Sequence, residues 1–154
     1  MSEELKTSNI QAEMCFVGSL FADPDLYVSY GNFMRSKYDF ADPVTRFLYD
    51  NLETYYLTFS QTIDEKKLNV FMSQNEERLQ ESKQYKGWKT IQRFIELADT
   101  SDVDNYFNLV KKYSLLREYE RNGFPVDKIL KHKKFDSLTA NDIYRIIQSI
   151  YWRD

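Results

Sequence analysis

The chain holds one cysteine, Cys15, and one histidine, His132, the two side-chain types best suited to nucleophilic or proton-transfer chemistry near neutral pH. They are far apart in sequence, and one of each cannot build a His/Cys metal site, which takes about four ligands. His132 lies in Lys131-His132-Lys133-Lys134, a polar run that reads as a solvated loop. No serine or threonine sits in a Gly-x-Ser-x-Gly context. Glycine occurs only at 18, 31, 87 and 123, and none opens a Gly-x-x-x-x-Gly-Lys-Ser/Thr loop, so the chain cannot cradle a nucleotide as phosphate-loop ATPases do. The paired acids Glu76 and Glu77 fall on a polar helical face, where solvation explains them. The expectation is a protein with no catalytic residues, no metal and no cofactor. One cluster could act by charge: Lys128, Lys131, Lys133 and Lys134, with Phe135 beside them. It reads either as a contact patch for a nucleic-acid backbone or an acidic partner, or as a solvated loop.

The elements that would position such residues are helices. Apolar residues make up 42% and aromatics 16%, with twelve Tyr and eleven Phe, too rich for a disordered chain. Four glycines, three prolines and few β-branched runs favour helices over a sheet. The net charge of -3 argues against a surface that wraps nucleic acid throughout. A lone cysteine inside an apolar helix points to a core role and a reducing, cytoplasmic setting. The start of the chain has no apolar signal region, and no apolar run approaches a membrane span.

Spacing and caps predict the elements. Residues 1–8 read as a disordered tail. Ile10, Met14, Val17 and Phe21 give a first helix one buried stripe, and Gly18 inside it implies the close approach of another backbone. Asp23-Pro24 starts a turn before a short helix over 26–34. Asp42-Pro43 caps a helix carrying Phe47, Leu48, Leu52, Tyr55, Tyr56 and Phe59, more apolar surface than a lone helix would keep. Capping boxes at Thr62-Ile63-Asp64-Glu65, Ser101-Asp102-Val103-Asp104 and Thr139-Ala140-Asn141-Asp142 open three further helices. The first of these runs to about Leu79, and 81–86 reads as a loop. Gly87 precedes another helix, bearing Ile91, Phe94, Ile95 and Ala98. Asn122-Gly123 stops the longest. The predicted organisation is all-α: a compact bundle of short helices over 9–99, then an antiparallel helical hairpin over 101–154. The hairpin carries the stripes Tyr106, Leu109, Val110 and Tyr113, and Ile143, Ile146, Ile147 and Ile150. These fill the hairpin's own core or pair with a second copy. The final Tyr151-Trp152 suggests a helix end that is cut or docked.

Five segments in order resemble the N-terminal domain of bacterial and phage replicative DNA helicases of the DnaB type. They are Gln11-Ala12-Glu13-Met14-Cys15-Phe16-Val17-Gly18-Ser19-Leu20 with Asp23-Pro24, then Phe40-Ala41-Asp42-Pro43-Val44-Thr45-Arg46-Phe47-Leu48-Tyr49, then Ile63-Asp64-Glu65-Lys66-Lys67-Leu68, then Lys86-Gly87-Trp88-Lys89-Thr90-Ile91, and last Val103 to Lys111 with Leu116-Arg117. Departures from the family pattern stand at Met14 for glutamine, Thr45 for histidine and Thr90 for tyrosine. The resemblance implies a collar domain without its motor, itself not an enzyme. Its hairpins would dimerise, and three dimers would build a collar that docks primase or a helicase loader. Contact with DNA would be indirect or weak, and no membrane would be involved. Two rival readings are a stand-alone phage-type adapter or inhibitor of a replicative helicase, and a small helical nucleic-acid-binding module centred on Lys128 to Lys134.

Overall fold

The computed structural model describes residues 7–151, and every regular element among them is helical, so the protein is all-α. The first helix, α1 (Ile10–Ala22), lies at the centre. Asn9 caps it, its side chain accepting the Ala12 N–H at 3.0 Å. The predicted single stripe understates its burial. Residues 12 to 21 are buried on nearly every side, Met14 being half-buried, while Ile10 is exposed. A helix apolar all round belongs inside a bundle.

After α1 the expected short helix breaks into pieces: a 3-10 turn at Pro24–Leu26, α2 (Tyr27–Tyr30), a second 3-10 turn at Gly31–Phe33, and α3 (Ser36–Asp39). Tyr27 folds its ring over Gly31, where a Cβ would stand 2.4 Å from the ring. The next helix, α4 (Pro43–Phe59), starts as predicted, with Pro43 in its first turn and Asp42 accepting the Thr45 N–H at 3.0 Å.

The following stretch departs from expectation. The cap of α5 (Glu65–Ser73) is Asp64, not Thr62; its carboxylate accepts the Lys67 N–H at 2.8 Å. The helix stops at Ser73 because Asn75 starts a new one, α6 (Glu76–Gln84), by accepting the Arg78 N–H at 3.0 Å. The residues read as a loop thus belong largely to a mostly polar helix. Arg78 folds α6 back, donating to the Phe71 carbonyl at 2.7 Å. Lys86 and Gly87, both at positive φ, then turn the chain into α7 (Gly87–Leu97). Gly18 meets α7 there: a Cβ on it would lie 2.1 Å from the Phe94 carbonyl oxygen, so the two backbones touch as the glycine implied.

The box expected at Ser101 is replaced by an aspartate turn. Asp99 accepts from the Ser101 N–H at 3.0 Å and from its hydroxyl at 2.6 Å, and α8 (Val103–Arg121) follows a 3-10 turn. Asn122-Gly123 ends α8 in a Schellman arrangement. Phe124 N–H reaches the Tyr119 carbonyl at 2.9 Å, Gly123 N–H reaches Glu120 at 3.1 Å, and the Tyr119 and Phe124 rings meet edge-on. A single turn, α9 (Asp127–Leu130), and a 3-10 turn at Phe135–Ser137 lead to α10 (Ala140–Tyr151). The capping box there forms in both directions, Thr139 N–H to Asp142 at 2.9 Å and Asp142 N–H to the Thr139 hydroxyl at 3.1 Å.

Two apolar clusters result. The larger joins α1, α4, α5, α7 and the first half of α8, with Phe16, Leu20, Leu48, Tyr49, Leu52 and Ile91 almost without exposure. The smaller gathers Leu116, Val126, Ile129, Ile143 and Ile147. The α8 helix therefore serves both, its N-terminal half closing the bundle and its C-terminal half carrying α9 and α10. Of the predicted tail, residues 1–6 lie outside the described residues, as does Trp152. The Thr7 carbonyl is tied down by Arg117 at 2.8 Å. Among the described residues, no helix is long and apolar enough to cross a membrane.

Candidate interaction surface

The eight residues expected to self-associate fall into three environments. Val110, Ile143 and Ile147 are buried in the chain's own two cores. Tyr106 and Leu109 are half-buried and line a shallow groove with Asn9, Gln11 and Leu97. Tyr113 is half-buried on the smaller core, its ring meeting Phe135 edge-on at 5.9 Å. On α10, Ile146 flanks that core, while Ile150 is exposed, as is Tyr144 six residues earlier. Intramolecular packing uses the centre of the two stripes. Their margins stay half-buried or exposed.

A different side of α8 carries a polar joint that the spacing of residues did not reveal. Glu13, on the apolar α1, is buried and accepts the N–H groups of Ala41 and Asp42, each at 3.1 Å. Burial raises its pKa, while those two donors and the nearby Arg117 charge oppose the rise. Asp39, at the end of α3, is fully buried. It accepts from the Arg35 N–H at 2.6 Å, the Ser114 hydroxyl at 2.7 Å and the Lys111 ammonium at 2.9 Å. Arg117 donates to the carbonyls of Tyr38 at 3.0 Å and Asp39 at 3.1 Å. Together these groups fasten the 35–42 segment to α1 and α8. The only sequence signal was a glutamate inside an apolar run. Asp39, Lys111 and Arg117 gave none, because the side chains that meet there, Lys111 and Ser114 at Asp39 and Arg117 at the backbone beside it, are remote from Asp39 in sequence.

The basic cluster stays at the surface. Lys128, Lys131, Lys133 and Lys134 are all exposed, and His132 Nδ1 accepts the Lys134 N–H at 3.1 Å within the turn. Phe135 is already engaged within the chain. The buried Lys112 ammonium stands 4.0 Å from its ring centroid and donates to its carbonyl, and Tyr113 meets its edge. The patch is therefore cationic, with its one nearby aromatic packed against Lys112 and Tyr113. Cys15 is buried, its thiol directed at the Leu97 carbonyl at 3.6 Å, and burial raises its pKa. Among the described residues, no group of three or more His, Cys, Asp and Glu could hold a metal ion.

Lys112 has a pH consequence. Burial pushes its pKa below the ordinary lysine value, against the pull of Asp136 and Asp142. The native state therefore releases this proton before the unfolded chain does. Between the lowered value and about 10.5 the unfolded state binds more protons, so this group's contribution to stability rises with pH. Lys112→Met removes that rise. Tyr27 and Tyr30, raised to about 12 by burial and by Glu53 and Asp104, act in the opposite sense above pH 10 and are common to both proteins. The difference between parent and Lys112→Met in urea unfolding across the alkaline range isolates the lysine. A pH-independent difference would contradict the assignment.

No family model matches the chain, and no solved structure matches it. Over 126 residues, 82% of its length, the chain is 21% identical to the SPbeta prophage-derived uncharacterized protein YorI of Bacillus subtilis (strain 168). The matched stretch is 25% of that protein, so the chain spans about a quarter of the length of this curated relative.

Proposed function

We propose that the chain is a non-catalytic collar domain of a DnaB-type replicative helicase, which self-associates and docks primase or a helicase loader in DNA replication. The observation that carries this reading is where the resembling segments lie. Glu13, from the first, binds the backbone of Ala41 and Asp42 in the second. Gly18, also from the first, presses on the α7 backbone in the helix opened by the fourth. Lys111 and Arg117, from the fifth, hold the chain just before the second. Four of the five segments that resemble the family thus meet at joints of one fold, and the third adds Ile63 and Leu68 to the same core, which supports reading them as one domain. A longer prophage protein with a matching stretch supports a domain within a larger chain. Of the residues assigned to self-association, Ile150 is the most exposed, with Ile146, Tyr106, Leu109 and Tyr113 beside the cores; Tyr144, which was not assigned, is exposed on the same helix and widens that margin.

The reading frame separates this reading from an adapter. A phosphate-loop ATPase encoded beyond Asp154 is expected; a stop codon there would move the reading to a stand-alone protein that binds a replicative helicase. The nucleic-acid-module reading would need DNA binding at low salt that is lost when Lys128, Lys131, Lys133 and Lys134 are changed to Gln.

A further inference from the structure

The surplus apolar surface of α4 leads to a groove that self-association through α8 and α10 does not use. Where α4 ends and α5 begins, Tyr55 and Phe71 form a buried floor with their rings edge-on at 5.6 Å. Phe59 packs on Tyr55 at 5.0 Å yet is 43% exposed, and Val70 on the facing helix is 64% exposed. Together they bound an open groove of about 290 Å³. That is near the lower end of ligand-sized pockets, room for one or two large side chains. The groove is held in shape from behind. The Arg78 guanidinium lies 3.9 Å from the Phe71 ring centroid and donates to the Phe71 carbonyl, so little ordering is needed on binding.

Its charge selects the occupant. Lys66 and Lys67 stand among the lining residues, which include no carboxylate, on a chain whose net charge is -3. The nearby Asp64 carboxylate is engaged as the α5 cap. A symmetric contact with a second copy would set these lysines against their counterparts, like charge to like charge. A nucleic-acid strand would find two cations and an apolar floor, too little concentrated charge for phosphates. A peptide with an apolar side chain between carboxylates matches both the floor and the rim.

We propose that the groove between α4 and α5 docks an acidic peptide segment of a partner protein, which seats an apolar side chain against Phe59 and Val70 and pairs its carboxylates with Lys66 and Lys67. This goes beyond the collar reading and holds whether or not the chain self-associates. The test is panning of a random-peptide display library on the whole chain, with parallel selection on Val70→Glu. Val70 is exposed, so the variant keeps its helical circular dichroism. Enriched peptides are expected to share an aromatic or aliphatic residue flanked by Asp or Glu. Their affinity, read by fluorescence anisotropy, should fall about tenfold or more on Val70→Glu and on Lys66→Glu with Lys67→Glu. No enrichment, enrichment without acidic flanks, or equal binding to Val70→Glu would overturn the proposal. So would a drop in solution mass caused by Val70→Glu, which would make the groove a self-contact. A monomeric chain that still binds such peptides would remove the collar reading and leave this one standing.

Discussion

Gly18→Ala lowers the unfolding free energy by about 3 kcal/mol, although alanine is the better helix former by about 1 kcal/mol. The added methyl would sit 2.1 Å from the Phe94 carbonyl oxygen and 2.5 Å from its carbon, both backbone atoms of α7. No side-chain rotation relieves such a contact. Instead α7 must retreat from α1, opening the core that Ile91 and Phe94 share with Val17 and Leu20. Gly123 supplies the contrast. It has φ +85° and nothing within 4 Å of a built Cβ, so Gly123→Ala costs only the left-handed strain, about 1 kcal/mol. Denaturant unfolding of both variants checks the pair. A Gly18→Ala cost no larger than that of Gly123→Ala would mean the two helices do not meet as described.

Asp39→Ala has the second large effect, a loss of about 3 kcal/mol. The carboxylate is fully buried and takes three donors, from Arg35, Lys111 and Ser114. Removing it leaves those donors facing a void. The loss stays near the lower end for a broken buried pair because Lys111 is partly exposed and keeps the Phe33 carbonyl at 2.8 Å. The Arg35–Glu118 pair at the surface, 3.4 Å apart with both side chains exposed, contributes little by comparison. A cycle of Asp39→Ala with Lys111→Met should show strong coupling, since each removes the other's partner. Additive costs would show that the two groups do not share a bond that matters.

Local chemistry was legible wherever it is written in adjacent residues. Asp42-Pro43, the Thr139–Asp142 box and the Asn122-Gly123 stop each act within one turn, and each forms as read. Gly18 was legible because a mid-helix glycine needs a reason. The break between α5 and α6 was not, because a polar helix with few apolar residues looks like a loop and Asn75 is an inconspicuous cap. Burial of α1 on nearly all sides escaped a search for one stripe. The division of the α8 and α10 stripes was equally hidden: periodicity marks Val110, Ile143 and Ile147 as apolar but does not say whose core they fill. The joint of Glu13, Asp39 and Arg117 depends on long-range contacts across 28 to 79 residues, which no local spacing encodes.

The collar reading stands on self-association through the surface left outside the two cores, and mass in solution tests it most directly. Substitutions at Ile143 or Ile147 would confuse the result, since both are buried and their loss would loosen the fold itself. Tyr144→Glu with Ile150→Glu changes exposed positions only. Light scattering at high concentration should give about twice the 18.5 kDa of one chain, or a higher multiple, and the double variant should fall to a single chain with its helical circular dichroism intact. A mass of 18.5 kDa for the parent at every concentration would contradict the account.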